Sequence, residues 1–166
     1  MATIRFKGNP VHTVSDLPAP GSRAPGFRLV RSDFQEVGPE DYAGKRKIVN
    51  IFLSVDTSVC SMSVRTFHQR AAALQGVVVL CVSADLPYAH KRFCAAEGIT
   101  GVESLSTFRS SFAQDWGVAI ADGPLRGLCS RAVVVLDELD RVLYTEQVPD
   151  VGQEPDYDRA LAALGA

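Results

Sequence analysis

Lys47-Ile48-Val49-Asn50-Ile51-Phe52-Leu53 runs directly into Ser54-Val55-Asp56-Thr57-Ser58-Val59-Cys60, and this junction decides the fold. The first seven residues are apolar except for Lys47 and Asn50, which reads as a strand buried within a sheet. Residues 54–59 form a polar loop. From there small or apolar residues recur at Cys60, Val64, Phe67, Ala71 and Leu74, in steps of 4, 3, 4 and 3. That spacing predicts a helix from Ser58 onward, and Gly76 closes it.

The same alternation continues downstream. Val77–Ala84 predicts a second buried strand, and Asp85-Leu86-Pro87 starts a second helix, with Asp85 as its cap and Pro87 in its first turn. That helix runs to about Glu97 and stops at Gly98. Ser111–Trp116 predicts a short helix, and Ala132–Leu136 a third apolar strand. Asp137–Asp140 turns it into Val142–Val148 as an antiparallel hairpin, and Glu154–Leu164 closes the chain as an amphipathic helix. Upstream, Ile4 and Phe6 alternate with polar residues before Gly8-Asn9-Pro10, which predicts a hairpin over about residues 1–15. Asp16–Gly26 is a proline- and glycine-rich loop, Phe27–Val30 a short strand, and Gly38–Lys47 polar and turn-rich. The order β-α-β-α and then β-β-α predicts an α/β protein with a central mixed β-sheet flanked by helices. This is a thioredoxin-like fold with an added N-terminal β-hairpin, expected as a single domain over residues 1–166.

Composition narrows the function classes. Of 166 residues 46% are apolar and 22% charged, which is ordinary for a globular chain and excludes disorder. The net charge of −2 provides no basic field for nucleic acid or an anionic membrane. No apolar run approaches the roughly 18 residues that cross a bilayer. Met1–Lys7 has no apolar core of a secretory signal, so the expected location is the cytoplasm, where thiols stay reduced unless they do chemistry. Zinc is not expected: there is no CxxC pair, and His68 and His90, at eight and four residues from Cys60 and Cys94, do not complete a ligand set.

The chemistry is carried by cysteine. With a helix beginning near Ser58, Cys60 lies in its first turn, where unpaired backbone N–H groups and the positive end of the helix dipole favour a thiolate. A reactive nucleophile belongs at such a place. Cys60 also matches the apolar stripe of the helix, so position alone divides evenly between nucleophile and core residue. Thr57 tilts the balance, since its hydroxyl can orient an incoming oxygen, although a threonine here also reads as a helix cap. Cys94 sits in the middle of the second helix, where a small core residue is the common fate. Cys81 lies within the run Val77–Val82 and reads as inert core, and Cys129, in a loop after Gly127-Leu128, reads as a partly exposed thiol. Arg131 opens the third strand. Aimed at Cys60, its fixed fork of donors would stabilise a thiolate and polarise a peroxide, but its sequence position fits an exposed, salt-bridged strand end better.

Asn50–Cys60 followed by Ser63-Val64-Arg65-Thr66-Phe67 resembles the active-site segment of bacterial thiol peroxidases, the Tpx subfamily of peroxiredoxins. The likeness continues through Gly8–Val11, Ala43–Lys47, Val79–Pro87, Arg92-Phe93-Cys94, Leu105–Arg109, Gly117–Leu125 and Arg131–Val135. It implies a homodimer that reduces hydrogen peroxide and alkyl hydroperoxides, takes electrons from thioredoxin, and needs no metal or organic cofactor. It also implies roles: Cys60 as the peroxidatic cysteine, Cys94 as the resolving cysteine, and Thr57 and Arg131 as the peroxide pocket.

The resemblance departs from its pattern at Leu53, where the family carries proline seven positions before the peroxidatic cysteine. Leucine keeps an apolar shield but frees φ and restores a backbone donor. Three other readings therefore stand beside the peroxidase: a thiol–disulfide oxidoreductase or redox sensor on the same fold, a peroxidase impaired by Leu53, and a binding domain whose cysteines are core. Because two helical cysteines seldom meet the disulfide limit of about 7 Å between Cα atoms, a Cys60–Cys94 bond predicts local unwinding.

Overall fold

The computed structural model describes residues 1–165, so the last residue of the domain expected over 1–166 lies outside it. The decisive strand is β5 (Arg46–Ile51), in the interior of a seven-stranded sheet. β5 pairs in parallel with β6 (Val77–Ser83) and antiparallel with β8 (Ala132–Leu136). β6 continues in parallel to β7 (Glu103–Ser106), and β8 turns back into β9 (Val142–Gln147). β3 (Leu29–Arg31) and β4 (Glu36–Val37) finish the far edge, giving the order β4-β3-β7-β6-β5-β8-β9. Parallel and antiparallel pairs together make the mixed sheet that the chain order implied.

Side chains alternate between the sheet faces along each strand, and so divide the core in two. Ile48, Val79, Cys81, Val133 and Val135 face α1 (Ser58–Ala71), α2 (Pro87–Glu97) and α4 (Tyr157–Ala163), meeting Cys60, Val64, Phe67, Phe93 and Ala160. Val49, Ile51, Leu80, Val82 and Val134 face the other side, where Phe112 of α3 (Phe112–Asp115) stacks on Trp116. The N-terminal hairpin pairs β1 (Thr3–Phe6) with β2 (Asn9–His12) and packs Ile4 and Val11 against Ile120. It also clasps a later segment: the Arg5 N–H donates to Pro149, and Val151 N–H donates back to Arg5.

Several expectations need correction. β7 has no strand-like pattern in sequence, since Leu105 is its only large apolar residue. It forms because the β6 edge supplies a backbone partner. The first strand ends at Ile51 rather than Leu53, although Phe52 N–H still bonds the Val82 carbonyl. Asp85 does not cap α2. Leu86 holds that position with Pro87 in the first turn, and the Asp85 carboxylate turns back toward the loop before α1. Gly98 ends α2 at φ 66°, a left-handed conformation that glycine adopts without a Cβ penalty.

Candidate active site

Cys60 is the third residue of α1, within the turn whose N–H groups have no helical acceptor. Its sulfur is not open to solvent. Cys60 is fully buried, at 0% exposure, among Phe52, Leu53, Val55, Val64 and Phe67. The helical register that places it at the dipole also turns its side chain inward, so Cys60 is at once a first-turn residue of α1 and a member of its core stripe.

Thr57 stands at the N-cap but its side chain does not cap the helix. Its hydroxyl donates to the Ser54 carbonyl at 3.0 Å, and its N–H bonds the same carbonyl at 3.2 Å. With its one proton engaged, the exposed Thr57 oxygen is left as an acceptor for an O–H group. Leu53 is 6% exposed and packs in the Cys60 cluster, so it keeps the apolar shield on this side of the thiol.

Arg131 overturns the exposed, salt-bridged reading. It is 2% exposed and has no carboxylate partner among the described residues. Nε and Nη2 both donate to the Val151 carbonyl, at 3.1 and 2.6 Å. Nη1 is buried with no hydrogen-bond partner among the described residues. A guanidinium donor left bare in the interior is costly unless something else receives it. The hairpin clasp on residues 149–151 fixes the carbonyl that aims this group. The Tyr157 ring of α4 meets Phe67 of α1 edge-on at 5.1 Å.

Cys94 is half-buried on α2 and packs against the cluster that encloses Cys60. Its sulfur lies 3.3 Å from the Ser104 hydroxyl of β7. The four cysteines are all free thiols. Cys81 is buried as expected, and burial pushes its thiol up to about 12. Cys129 corrects the expectation of a partly exposed thiol: it is 0% exposed, because the isolated bridge between Ala119 and Cys129 folds its loop onto the second core, and burial raises it to about 12.

Sequence reading missed the polar group beneath the loop. Asp85, Ser83 and His90 converge there with Ser54, which lies 31 residues before Asp85, and no spacing in the chain links Ser54 to the other three. A surface cleft of about 1250 Å³ is lined by residues such as Arg23, Phe27, Arg109 and Arg141 and includes none of Cys60, Thr57, Cys94 or Arg131. Among the described residues no His, Cys, Asp and Glu cluster is arranged to hold a metal ion, and no helix is long and apolar enough to cross a membrane.

The Redoxin family matches residues 19–161. Thiol peroxidases of Mycobacterium tuberculosis and Mycobacterium bovis are each 55% identical over 166 residues, spanning 100% of both chains. Among solved structures, a peroxiredoxin-like protein from Aquifex aeolicus superposes with a TM-score of 0.91 at 35% identity, over 98% of this chain and 95% of that one. A thiol peroxidase from Chromobacterium violaceum shares the fold with a TM-score of 0.88 at 23% identity, over 98% and 95% of the two chains.

Proposed function

The chain belongs to the redoxin family, among its thiol peroxidases, and from that premise we propose that Cys60 is the thiol that removes oxygen from hydrogen peroxide and alkyl hydroperoxides. The observation that carries the assignment is the place of Cys60 in the first turn of α1; a second support is the buried Arg131 guanidinium, whose Nη1 has no partner among the described residues.

The Cys60 thiolate attacks the terminal oxygen of ROOH. An S–O bond forms, the O–O bond breaks heterolytically, and RO⁻ leaves and takes a proton to become ROH. Cys60 is oxidised to the sulfenic acid and the peroxide is reduced to the alcohol or water. Arg131 and the N–H groups of the first turn receive charge on the departing oxygen, while Thr57 Oγ accepts the peroxide O–H. The Cys94 thiol then displaces hydroxide from the sulfenic sulfur, releasing water and leaving a Cys60–Cys94 disulfide. Because Cys60 is sealed within α1 and Cys94 sits in an intact α2, this step requires the first turn of α1 to unwind. A dithiol protein, thioredoxin, restores both thiols by exchange. The enzyme works in the cytoplasm as a homodimer. Support for pairing is the aromatic surface beside α2, where Phe34 meets Tyr88 at 5.0 Å and Phe108 at 6.4 Å while Tyr88 stays 71% exposed.

Disulfide mapping by mass spectrometry after one equivalent of peroxide tests the assignment. The expected product is one Cys60–Cys94 bond. Cys60→Ser is expected to abolish peroxide consumption, Cys94→Ser to form sulfenic acid but stall with thioredoxin, and Arg131→Lys to slow the first step by about tenfold through loss of the second donor. Peroxide consumption undiminished in Cys60→Ser would refute the assignment.

A further inference from the structure

Asp85 lies in the turn between β6 and α2, and its carboxylate is fully engaged by donors from two directions. Oδ1 accepts the Ser54 hydroxyl at 2.7 Å, and Oδ2 accepts the Val55 N–H at 2.9 Å and the Ser83 hydroxyl at 2.6 Å. Its own carbonyl accepts the Ser106 hydroxyl at 2.5 Å, which anchors the turn to β7. The single Ser83 proton goes to Asp85, so His90 Nε2, 3.2 Å from Ser83 Oγ, carries the hydrogen of that contact. His90 is 1% exposed and lies one helical turn before Cys94 on α2.

The chain of bonds continues toward Cys60. Ser54 Oγ accepts the Asp56 N–H at 3.1 Å, and the Ser54 carbonyl holds both the N–H and the hydroxyl of Thr57. A second strut, Arg92 to Asp56 at 2.7 Å, ties the same loop to α2 but lies in solvent, where such a pair contributes little. Asp85 is thus the better shielded of the two links between the loop that carries Thr57 and the helix that carries Cys94.

We propose that Asp85 is a positioning residue for the peroxidase reaction, holding residues 54–57 in the shape that sets Thr57 and the first turn of α1 for peroxide attack. This rests on the assignment of Cys60 as the attacking thiol. The two chemical steps make opposite demands on the loop. Peroxide attack needs donors and acceptor fixed before the O–O bond breaks. Disulfide formation needs the same turn to open. Charge-assisted bonds from Ser54 and Val55 to Asp85 favour the closed loop, so Asp85 accelerates the first step and restrains the second.

The test is Asp85→Asn and, separately, Ser54→Ala, each in the full chain and in a Cys94→Ser background. Quenched-flow trapping of the sulfenic acid reads the first step with hydrogen peroxide, the appearance of the Cys60–Cys94 disulfide reads the second, and thermal unfolding reads stability. Asp85→Asn is expected to slow the first step by about tenfold, the equivalent of one hydrogen bond to a charge, and to speed the second. Ser54→Ala is expected to shift both in the same directions by less. First-step rates equal to the parent in both variants, or both steps slowed together in proportion to lost stability, would overturn the proposal. Should Asp85→Asn not fold, Ser54→Ala decides, since it removes one side chain's bonds and leaves the carboxylate in place. Peroxide consumption by Cys60→Ser equal to the parent overturns the Cys60 assignment and this proposal together; normal loss in Cys60→Ser with unchanged first-step rates overturns the role of Asp85 alone.

Discussion

The Cys94 sulfur lies 3.3 Å from the Ser104 hydroxyl, and Ser104 is paired in register with Cys81 on the adjoining strand. The thiol assigned to resolve the sulfenic acid is therefore tethered to β7 rather than aimed at Cys60. This contact stabilises the closed α2 and must break before the disulfide forms. A neutral contact of this kind contributes about 1 kcal/mol or less. Ser104→Ala is expected to speed disulfide formation by about threefold and to leave the first step unchanged, as read by quenched flow after one equivalent of peroxide.

Leu53 is outside β5, and no hydrogen bond from its N–H is present among the described residues. Proline removes that donor without breaking a bond and fixes φ at the entrance to the loop. Leu53→Pro is expected to retain the fold, to change stability by no more than about 1 kcal/mol, and to raise the second-order rate with hydrogen peroxide. A denaturant melt and a competition assay against a reporter peroxidase check the two halves. A faster variant would identify the native chain as a restrained peroxidase.

Cys81 and Cys129 are both pushed up to about 12, in each case chiefly by burial. At pH 8 almost none of either is thiolate, and the thiolate is the species that alkylates. Iodoacetamide at pH 8 followed by peptide mapping is expected to leave both unlabelled in the folded protein, while 6 M guanidinium exposes them to labelling at the ordinary rate. Cys94, half-buried, is expected to label ahead of both.

His90 is held below its ordinary pKa by burial, an effect partly offset by the nearby Asp85 charge. The unfolded chain therefore binds a proton more readily than the folded one. On that sign, the contribution of His90 to stability is intact above the unfolded value of about 6.5 and is lost as pH falls below it toward the depressed folded value. The melting temperature is expected to fall between pH 7 and pH 5, and His90→Gln to flatten that slope. An equal slope in both proteins would assign the acid sensitivity elsewhere.

The helix positions of Cys60 and Cys94, the three apolar strands and the N-terminal hairpin were legible in the chain because each is a local matter. Periods of 2 and 3.6, a glycine stop and a proline start depend on near neighbours only. The resemblance of residues 50–67 and the later stretches pointed to Cys60, Cys94, Thr57 and Arg131 and to peroxide chemistry. Strand β7 was not legible, since Glu103-Ser104-Leu105-Ser106 has little strand character until β6 offers it an edge.

The tertiary structure alone decided which polar groups meet. Arg131 reads in sequence as an exposed strand end, yet the hairpin clasp and the Val151 carbonyl draw it inside with one donor bare. Asp85 reads as a helix cap, yet the loop donors of Ser54 and Val55 claim its carboxylate. Cys129 reads as a loop thiol and is sealed. Periodicity reports which face of an element is apolar, but a buried guanidinium or a half-buried carboxylate takes its place from hydrogen-bond partners 20 or 30 residues away, and only the folded chain brings those within 3 Å.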